Sequence, residues 1–265
     1  TSTDCSIEDK CDVCDGDGWN NGLSCDDIFI LEQIIDSSGL GGLKFSEFGT
    51  QNWSENGRLI YLKLEGPIKL TDDIGGLTEL SELIIETSGI REIPETIGNL
   101  QKLKSLNITS NPISLLPSSI IELTNLEELL ISKNNIIDLP EDIGNLTKLT
   151  RIDASYNMLD TLPESISSLN QLTDLFLENN QINILPASMS DLSSLRELRL
   201  NNNKLEILPD NFGAFGELII LYLNNNQLNA LPENFGNMSN LQTLYLNDNN
   251  LDSLPENIVN LASLK

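Results

Sequence analysis

The feature that most constrains this chain is a segment of 23 residues that repeats without a gap. Residues 126–148 read LEELLISKNNIIDLPEDIGNLTK, and residues 149–171 read LTRIDASYNMLDTLPESISSLNQ. The shared pattern LxxLxLxxNxLxxLPxxIxxLxx starts at eight places, which are Leu80, Leu103, Leu126, Leu149, Leu172, Leu195, Leu218 and Leu241. A unit this short cannot bury a core alone, so repeats of fixed period stack on one another as a solenoid.

Each repeat is predicted to contribute one strand and one helical turn. With the first leucine as position 1, positions 1, 4, 6, 11, 14, 18 and 21 are apolar and are expected to point inward. Positions 3 to 5 are predicted to form a short strand, and the proline at position 15 is a helix-start signal. The predicted fold class is therefore α/β, a right-handed solenoid with a curved parallel sheet on its concave face and short helical turns on its convex side.

Position 9 is asparagine in seven of the eight repeats and serine, Ser88, in the first. At the bend after the strand, backbone groups point inward and need partners, and an asparagine amide offers both a donor and an acceptor. We therefore interpret this column as a structural ladder and not as a ligand site. Its members are Asn111, Asn134, Asn157, Asn180, Asn203, Asn226 and Asn249.

On this pattern the chain is identified as a member of the leucine-rich repeat proteins. The LPxxIxxL form resembles bacterial repeats and the intracellular Ras-associated group, and the LxGxIP signature of plant receptor ectodomains is absent. Residues 26–64 instead resemble the N-terminal cap of extracellular plant and bacterial members, where a helix and a Trp-containing loop lead into a strand of the form NGRVxxLxL. Residues 56–64 read NGRLIYLKL. The resemblance implies a recognition module, secreted or at the cell surface, with a cytoplasmic scaffold as the alternative.

The chain is predicted to divide into a capping region and a solenoid. The capping region, residues 1–58, comprises an acidic Cys-containing segment at 1–25, a helix at 26–38 and an aromatic loop at 39–58. The solenoid, residues 59–265, comprises a degenerate repeat at 59–79, eight repeats at 80–263 and the start of a further repeat at 264–265. Because a terminal repeat without a cap exposes apolar core, we expect a longer protein or self-association through the C-terminal end.

All four cysteines lie near the N-terminus, at Cys5, Cys11, Cys14 and Cys25. Two disulfides are the favoured interpretation, and they indicate an extracellular protein. Four cysteines allow three connectivities, of which Cys5–Cys14 with Cys11–Cys25 avoids the tight ring that pairing Cys11 with Cys14 would close.

The same segment has two metal-binding interpretations. Residues 11–18, CDVCDGDG, resemble a single CxxCxGxG repeat of DnaJ-type zinc domains, a family that needs several such repeats. Carboxylate and amide oxygens between glycines also resemble the acidic loops that bind calcium, although the closing Glu of an EF-hand is absent. The predicted calcium ligands are Asp12, Asp15, Asp17 and Asn20, and calcium is the one cofactor that the sequence suggests.

The negative charge and the absence of histidine restrict which partners and which reactions are expected. The net charge is −25 and the chain has no histidine, so neither nucleic acid nor an anionic membrane surface is an expected partner. Without histidine, Ser-His-Asp, Cys-His and His-metal sites are excluded. Asp153 and Asp174 project from the strand face, but Glu128, Arg151 and Asp174 are interpreted as a charge-balanced row across neighbouring strands. We therefore predict a protein that is not an enzyme.

The concave face is the predicted ligand site, because position 5 carries aromatic residues and arginine in the later repeats. Exposed Phe176, Tyr222 and Tyr245 in one column are not needed by the scaffold, and such residues dominate interface hot spots. The alternative is that aromatic residues simply suit sheet surfaces. The predicted site for a protein or peptide ligand comprises Arg151, Asp153, Tyr156, Phe176, Arg199, Ile220, Tyr222 and Tyr245.

Two further hypotheses remain open at this stage. A polar row at positions 7 and 8 suggests a glycan- or ice-binding surface, with members Asn201, Asn202, Asn224, Asn225, Asn247 and Asp248. An intracellular scaffold of the Ras-associated type would instead have reduced cysteines and a basic partner attracted by the negative charge.

Overall fold

The computed structural model describes residues 19–20 and 22–265. Strands β1 (Trp19–Asn20) and β2 (Leu23–Ser24) pair antiparallel and lead into helix α1 (Cys25–Ser37). The hydroxyl oxygen of Ser24 accepts a hydrogen bond from the backbone N–H of Asp27 at 3.4 Å and so caps the helix. The helix begins and ends one residue earlier than the sequence pattern predicts. Its apolar face is buried through Ile28, Leu31, Ile34 and Ile35.

The segment between this helix and the repeats contains more regular structure than the predicted aromatic loop. It holds a 3₁₀ turn at Phe45–Glu47 and strand β3 (Thr50–Trp53), which pairs antiparallel with strand β4 (Leu59–Leu64). In the turn between the strands, the N–H of Gly57 donates to the carbonyl of Ser54 at 2.8 Å. Gly57 has φ of +66°, a conformation that glycine adopts without strain. The glycine of the NGR run therefore allows the turn of a β-hairpin.

A buried carboxylate joins the cap to the solenoid. Asp27 is 0% exposed. Its carboxylate accepts hydrogen bonds from the Arg58 guanidinium Nε at 3.0 Å and from the backbone N–H of Leu59 at 2.8 Å. The hydrogen bond that Arg58 donates to Asp27 is the main cause that raises the pKa of Arg58. The arginine that follows Gly57 thereby connects α1 to the first strand of the parallel sheet.

Nine strands form one open parallel sheet in the order of the sequence, and β3 extends it antiparallel at one edge. After β4 these strands are β5 (Glu82–Ile85), β6 (Ser105–Asn107), β7 (Glu128–Leu130), β8 (Arg151–Asp153), β9 (Asp174–Phe176), β10 (Glu197–Arg199), β11 (Ile220–Tyr222) and β12 (Thr243–Tyr245). The register aligns equal repeat positions, since Leu129 pairs with Ile152 and Ile152 with Leu175. The predicted solenoid with one strand at positions 3 to 5 is confirmed.

The return segments on the convex side contain 3₁₀ turns, which confirms the predicted helical turns. In several repeats the proline at position 15 lies just before the turn and not inside it. Its carbonyl accepts the first hydrogen bond of the turn, as that of Pro94 does from the N–H of Ile97 at 3.0 Å. The turns are Asp72–Gly76, Glu95–Asn99, Ser118–Glu122, Ile143–Asn145, Glu164–Ser168, Ala187–Asp191, Phe212–Ala214, Phe235–Asn237 and Glu256–Asn260.

A single apolar core runs through the stack between the sheet and the turns. The leucine and isoleucine side chains of the inward positions are almost fully buried from Leu59 to Leu241. At the C-terminal end the core is more open, because the inward residues Leu244, Leu246, Leu251 and Ile258 are only partly buried and Leu264 is 44% exposed. Self-association through this end stays a prediction. No helix in the described part of the chain has the length and apolar character needed to cross a membrane.

Candidate functional site

The concave face carries a continuous stack of side chains at repeat position 5. The strand register places Phe176 beside Arg199, Arg199 beside Tyr222 and Tyr222 beside Tyr245. The Arg199 guanidinium lies 4.3 Å from the centroid of the Phe176 ring and 5.6 Å from that of Tyr222. The rings of Tyr222 and Tyr245 are parallel within 4° at 4.9 Å. These four residues, named here the position-5 stack, span four neighbouring strands.

Phe176 is not exposed, so that part of the sequence interpretation is wrong. Its exposed fraction is 6%. Arg199, on one neighbouring strand, covers the ring. Arg151 approaches from the other neighbouring strand, with its guanidinium 4.7 Å from the ring centroid. Contacts of a guanidinium with an aromatic face are favourable and hold the cation in place. Phe176 therefore orients two arginines, and Tyr245 is the exposed end of the stack.

Arg151 does not form the predicted charge-balanced row. The register does place it between Glu128 and Asp174, yet none of the ion pairs within the described chain includes it. Asp174 accepts a hydrogen bond from the Thr173 hydroxyl at 2.6 Å instead. The Nε of Arg151 is buried without a hydrogen-bond partner among the described residues. The guanidinium of Arg151 packs on the Phe176 ring instead, between the strands that carry Glu128 and Asp174.

Arg199, in contrast, is neutralised within its own strand. Its Nη2 lies 2.6 Å from a carboxylate oxygen of Glu197, and its Nη1 lies 3.7 Å from Glu178. The guanidinium is thus fixed between an ion pair and two aromatic rings. A side chain held in this way loses little conformational entropy when a partner contacts it.

Glu178, next to this stack, is a partly buried carboxylate with little compensation. Its side chain is 14% exposed, and its Oε2 has no hydrogen-bond partner among the described residues. Burial raises the pKa of Glu178, and the nearby Asp153 and Glu197 raise it further, while Arg199 opposes this change. Ionising this carboxylate therefore costs more free energy in the folded protein than in the unfolded chain.

Replacing Glu178 by glutamine is expected to stabilise the protein in a pH-dependent way. Since the folded-state pKa lies above the ordinary value of 4.5, ionisation begins to destabilise the folded state as the pH rises above the ordinary pKa, and the destabilisation is complete once the pH exceeds the folded pKa. The melting temperature of Glu178→Gln should therefore exceed that of the wild type at neutral pH, and the difference should vanish below the ordinary pKa. Glu206→Gln, at an exposed side chain, is the control for losing one charge. A difference that is the same at every pH would contradict this explanation.

The other predicted site residues lie around the stack. Asp153 precedes Phe176 in the position-5 column, and its carboxylate accepts hydrogen bonds from the hydroxyl and the N–H of Ser155. Ile220 is half-buried at the start of β11. Tyr156 is 51% exposed beyond the end of β8, where the Lys133 ammonium lies 5.9 Å from its ring centroid. The structure thus brings Phe176, Arg199, Tyr222 and Tyr245 into one column, with Arg151 packed on it from position 3 and Tyr156 at its margin.

Position 8 of every repeat has a left-handed backbone, which the sequence analysis did not anticipate. The φ values lie between 52° and 61° at Thr87, Ser110, Lys133, Tyr156, Asn179, Asn202, Asn225 and Asp248. Asparagine and aspartate tolerate this conformation better than most residues. The polar residues at position 8 therefore have a backbone reason, and their frequency was the signal that could have revealed it.

The seven asparagines of position 9 bond with the backbone of their own repeat and of the preceding repeats. Asn157 is typical: its amide nitrogen donates to the carbonyls of Ile131, Ala154 and Ser155 at 2.9, 3.1 and 3.2 Å. Its amide oxygen accepts from the N–H of Ile136 at 3.0 Å. The same 26-, 3- and 21-residue spacings recur in Asn111, Asn134, Asn180, Asn203, Asn226 and Asn249.

The predicted metal and disulfide residues fall mostly outside the described part of the chain. Asp12, Asp15 and Asp17 lie outside it, and of Asn20 only the backbone in β1 is described. Cys25 is buried at the start of α1 and is not a free thiol. The remaining cysteines, Cys5, Cys11 and Cys14, lie outside the described residues, so the disulfide pairing and calcium binding stay predictions. Within residues 22–265, no cluster of His, Cys, Asp and Glu is suited to hold a metal ion.

Comparisons with known proteins agree with this geometry. A family model described as a leucine-rich repeat region matches residues 59–155, and a second, described as a leucine rich repeat, matches residues 194–215, 217–238 and 240–261. Together the two models match more than half of the chain. No curated protein matches it.

Many solved structures are similar to the chain, and three of them illustrate the range. A leucine-rich repeat protein of Leptospira interrogans is 32% identical over 79% of this chain and 53% of its own, with a TM-score of 0.73. The ectodomain of the Arabidopsis thaliana receptor kinase GASSHO1/SCHENGEN3, in complex with CASPARIAN STRIP INTEGRITY FACTOR 2, is 29% identical over 82% and 28%, with a TM-score of 0.75. A plant peptide hormone receptor in complex with RGF2 is 27% identical over 78% and 39%, with a TM-score of 0.60.

The chain therefore spans about half the length of the Leptospira structure and smaller parts of the two plant receptors. The repeat pattern, the parallel sheet with its convex turns, the two family models and the similar structures all agree. The chain belongs to the leucine-rich repeat family.

Proposed function

We propose that the chain is a non-enzymatic recognition module that binds a protein or peptide ligand on its concave face. The observation that supports this most directly is the exposed end of the position-5 stack. Tyr245 is 47% exposed, and its ring is stacked on Tyr222, which Arg199 contacts in turn. Aromatic side chains and arginine that are already ordered offer contact area at low entropic cost.

The electrostatics of this face favour a ligand with positive groups near its contacts. Glu178 and Glu197 lie beside Arg199, and Glu178 retains a carboxylate oxygen without a partner in the described structure. The chain as a whole carries a net charge of −25. Complementary charge accelerates encounter and disfavours anionic ligands.

We further propose that the module is secreted or displayed at a cell surface. The cap-like segment at residues 26–64, the cysteines near the N-terminus and the similarity to plant receptor ectodomains support this compartment. The LPxxI form of the repeats, which resembles bacterial repeats and the intracellular Ras-associated group, supports the alternative of a cytoplasmic scaffold of the Ras-associated type. Intact mass after thiol alkylation distinguishes the two, because disulfides protect cysteines and a cytosolic protein has reduced thiols.

Alanine substitutions in the stack test the concave site. Peptides enriched on the protein from a displayed random library would be titrated against the wild type and the variants Arg199→Ala, Tyr222→Ala and Tyr245→Ala. Removal of a hot-spot side chain should weaken binding by about 30-fold. The melting temperature should change little for Tyr245→Ala, whose ring is largely exposed.

Two substitutions away from the concave stack provide the controls. Lys204→Ala removes a cation and Ile207→Ala an apolar side chain, both from exposed positions. Each should leave peptide affinity unchanged. Full affinity in all three stack variants, or an equal loss in the controls, would exclude the position-5 stack as the ligand site.

A further inference from the structure

A second surface with the character of a binding site lies on the convex flank, away from the concave stack. It is a groove of about 280 Å³ between the repeats that start at Leu103 and Leu126. The side chain of Leu115, which contributes to it, is 60% exposed. The apolar lining comprises Leu115, Leu116, Ile121, Leu139 and Pro140.

The groove has a cause in the sequence. Ile121 occupies repeat position 19, where four other repeats have the glycines Gly98, Gly144, Gly213 and Gly236. At those glycines the next repeat approaches so closely that a side chain would not fit; a Cβ on Gly98 would lie 2.8 Å from the Ser119 carbonyl oxygen. An isoleucine at this position is incompatible with that approach.

The packing of the turns agrees with this explanation. The turns Ser118–Glu122 and Ile143–Asn145 pack less closely on each other than any other consecutive pair of convex turns in the described solenoid. The space left between them is the groove. The wide separation of these two turns coincides with Ile121, although a convex groove also lies between residues 69–72 and 92–95, where the equivalent residue is Gly75.

The rim of the groove is acidic. Asp138, Glu141 and Asp142 contribute to its lining and are exposed. Within the described chain, none of the three carboxylates takes part in an ion pair, and no described group donates a hydrogen bond to their side chains. An apolar channel with three uncompensated negative charges at its edge favours an apolar group that is flanked by cations.

We propose that this groove is a second docking site, which binds a segment of a partner protein carrying a leucine-like side chain between basic residues. The apolar side chain enters between Leu115 and Ile121, and the flanking ammonium or guanidinium groups lie beside Asp138, Glu141 and Asp142. A second copy of this chain fits less well, because each copy carries a net charge of −25 and like charges repel.

Defined peptides test the proposal. The probe is a fluorescent peptide with two central leucines between pairs of lysines, and its anisotropy is measured against the intact chain. A matched peptide with serines in place of the leucines measures the purely electrostatic part of binding. The leucine peptide is expected to bind about 10-fold more tightly than the serine peptide, since one buried apolar side chain contributes that much.

Substitutions at equivalent repeat positions locate the binding. Leu115→Ser should remove the preference for the leucine peptide, whereas Ile207→Ser, at the same position of another repeat and 63% exposed, should not. Glu141→Gln should weaken both peptides more than Glu233→Gln, its equivalent in a repeat that follows one with glycine at position 19. The concave variant Tyr245→Ala should bind the leucine peptide as the wild type does.

Three results would overturn the proposal. One is equal affinity for the leucine and serine peptides, and another is an equal loss in Leu115→Ser and Ile207→Ser. The third is a loss of leucine-peptide binding in Tyr245→Ala, which would place these peptides on the concave face. Circular dichroism of each variant identifies any loss that results from unfolding, and Leu115→Ala then replaces Leu115→Ser at this exposed position.

Discussion

Replacement of Asn157 by leucine is expected to lower the free energy of unfolding by on the order of 4 kcal/mol, because it leaves several buried backbone groups without partners. Leucine has nearly the same size, but it offers neither a donor nor an acceptor. The carbonyls of Ile131, Ala154 and Ser155 and the N–H of Ile136 each lose a hydrogen bond.

Chemical denaturation followed by circular dichroism measures this effect, and hydrogen exchange shows where it acts. Exchange of the Ile136 N–H should accelerate most, since Asn157 binds it directly. Asn229→Leu is the control, because this asparagine is exposed and such substitutions usually change stability by about 0.5 kcal/mol or less. A similar loss in both variants would mean that leucine itself, and not the missing amide, is responsible.

Removal of the buried carboxylate in Asp27→Ala is expected to cost about 3 to 5 kcal/mol. The substitution leaves the Arg58 guanidinium and the Leu59 N–H without their acceptor at the junction between cap and solenoid. The first strands of the sheet should then open more easily than the middle of the stack, because in a solenoid each repeat contacts only its neighbours.

The exposed ion pair between Lys102 and Glu79 provides the comparison for Asp27. Surface pairs contribute at most about 1 kcal/mol, so Glu79→Ala should change the denaturation midpoint only slightly. Hydrogen exchange should locate the effect of Asp27→Ala in β3 and β4. Uniform acceleration throughout the sheet would instead indicate that the cap and the solenoid unfold as one cooperative unit.

The sequence was sufficient to predict the solenoid, because its period fixes which residues point inward. Strand β3 was missed, since Thr50–Trp53 lacks the apolar alternation of a strand and its pairing depends on the turn at Gly57. The left-handed backbone at position 8 was also missed. Its residues include Lys133 and Tyr156 as well as three asparagines and an aspartate, so residue type indicates the conformation in only half of the repeats.

The candidate site was predicted in part. The strand register follows from the repeat, so the alignment of Phe176, Arg199 and Tyr222 could be read from spacing alone. The burial of Phe176 could not, because it depends on where the long side chains of Arg151 and Arg199 turn. The convex groove likewise required the structure, since the effect of Ile121 becomes visible only through the approach of the next turn.

The spacing of the parallel strands also determines which residue spacing in a bound peptide can match the position-5 stack. Neighbouring strands lie about 4.8 Å apart, whereas a peptide in the polyproline II conformation advances about 3.1 Å per residue and presents every third side chain on the same face. The two spacings agree at about 10 Å, which is the distance across two strand intervals and the length of three ligand residues. A ligand in this conformation that crosses the strands along the position-5 stack would contact Arg199 and Tyr245 with side chains three residues apart. The spacing of the strands thus favours a ligand whose contacting side chains recur at every third residue.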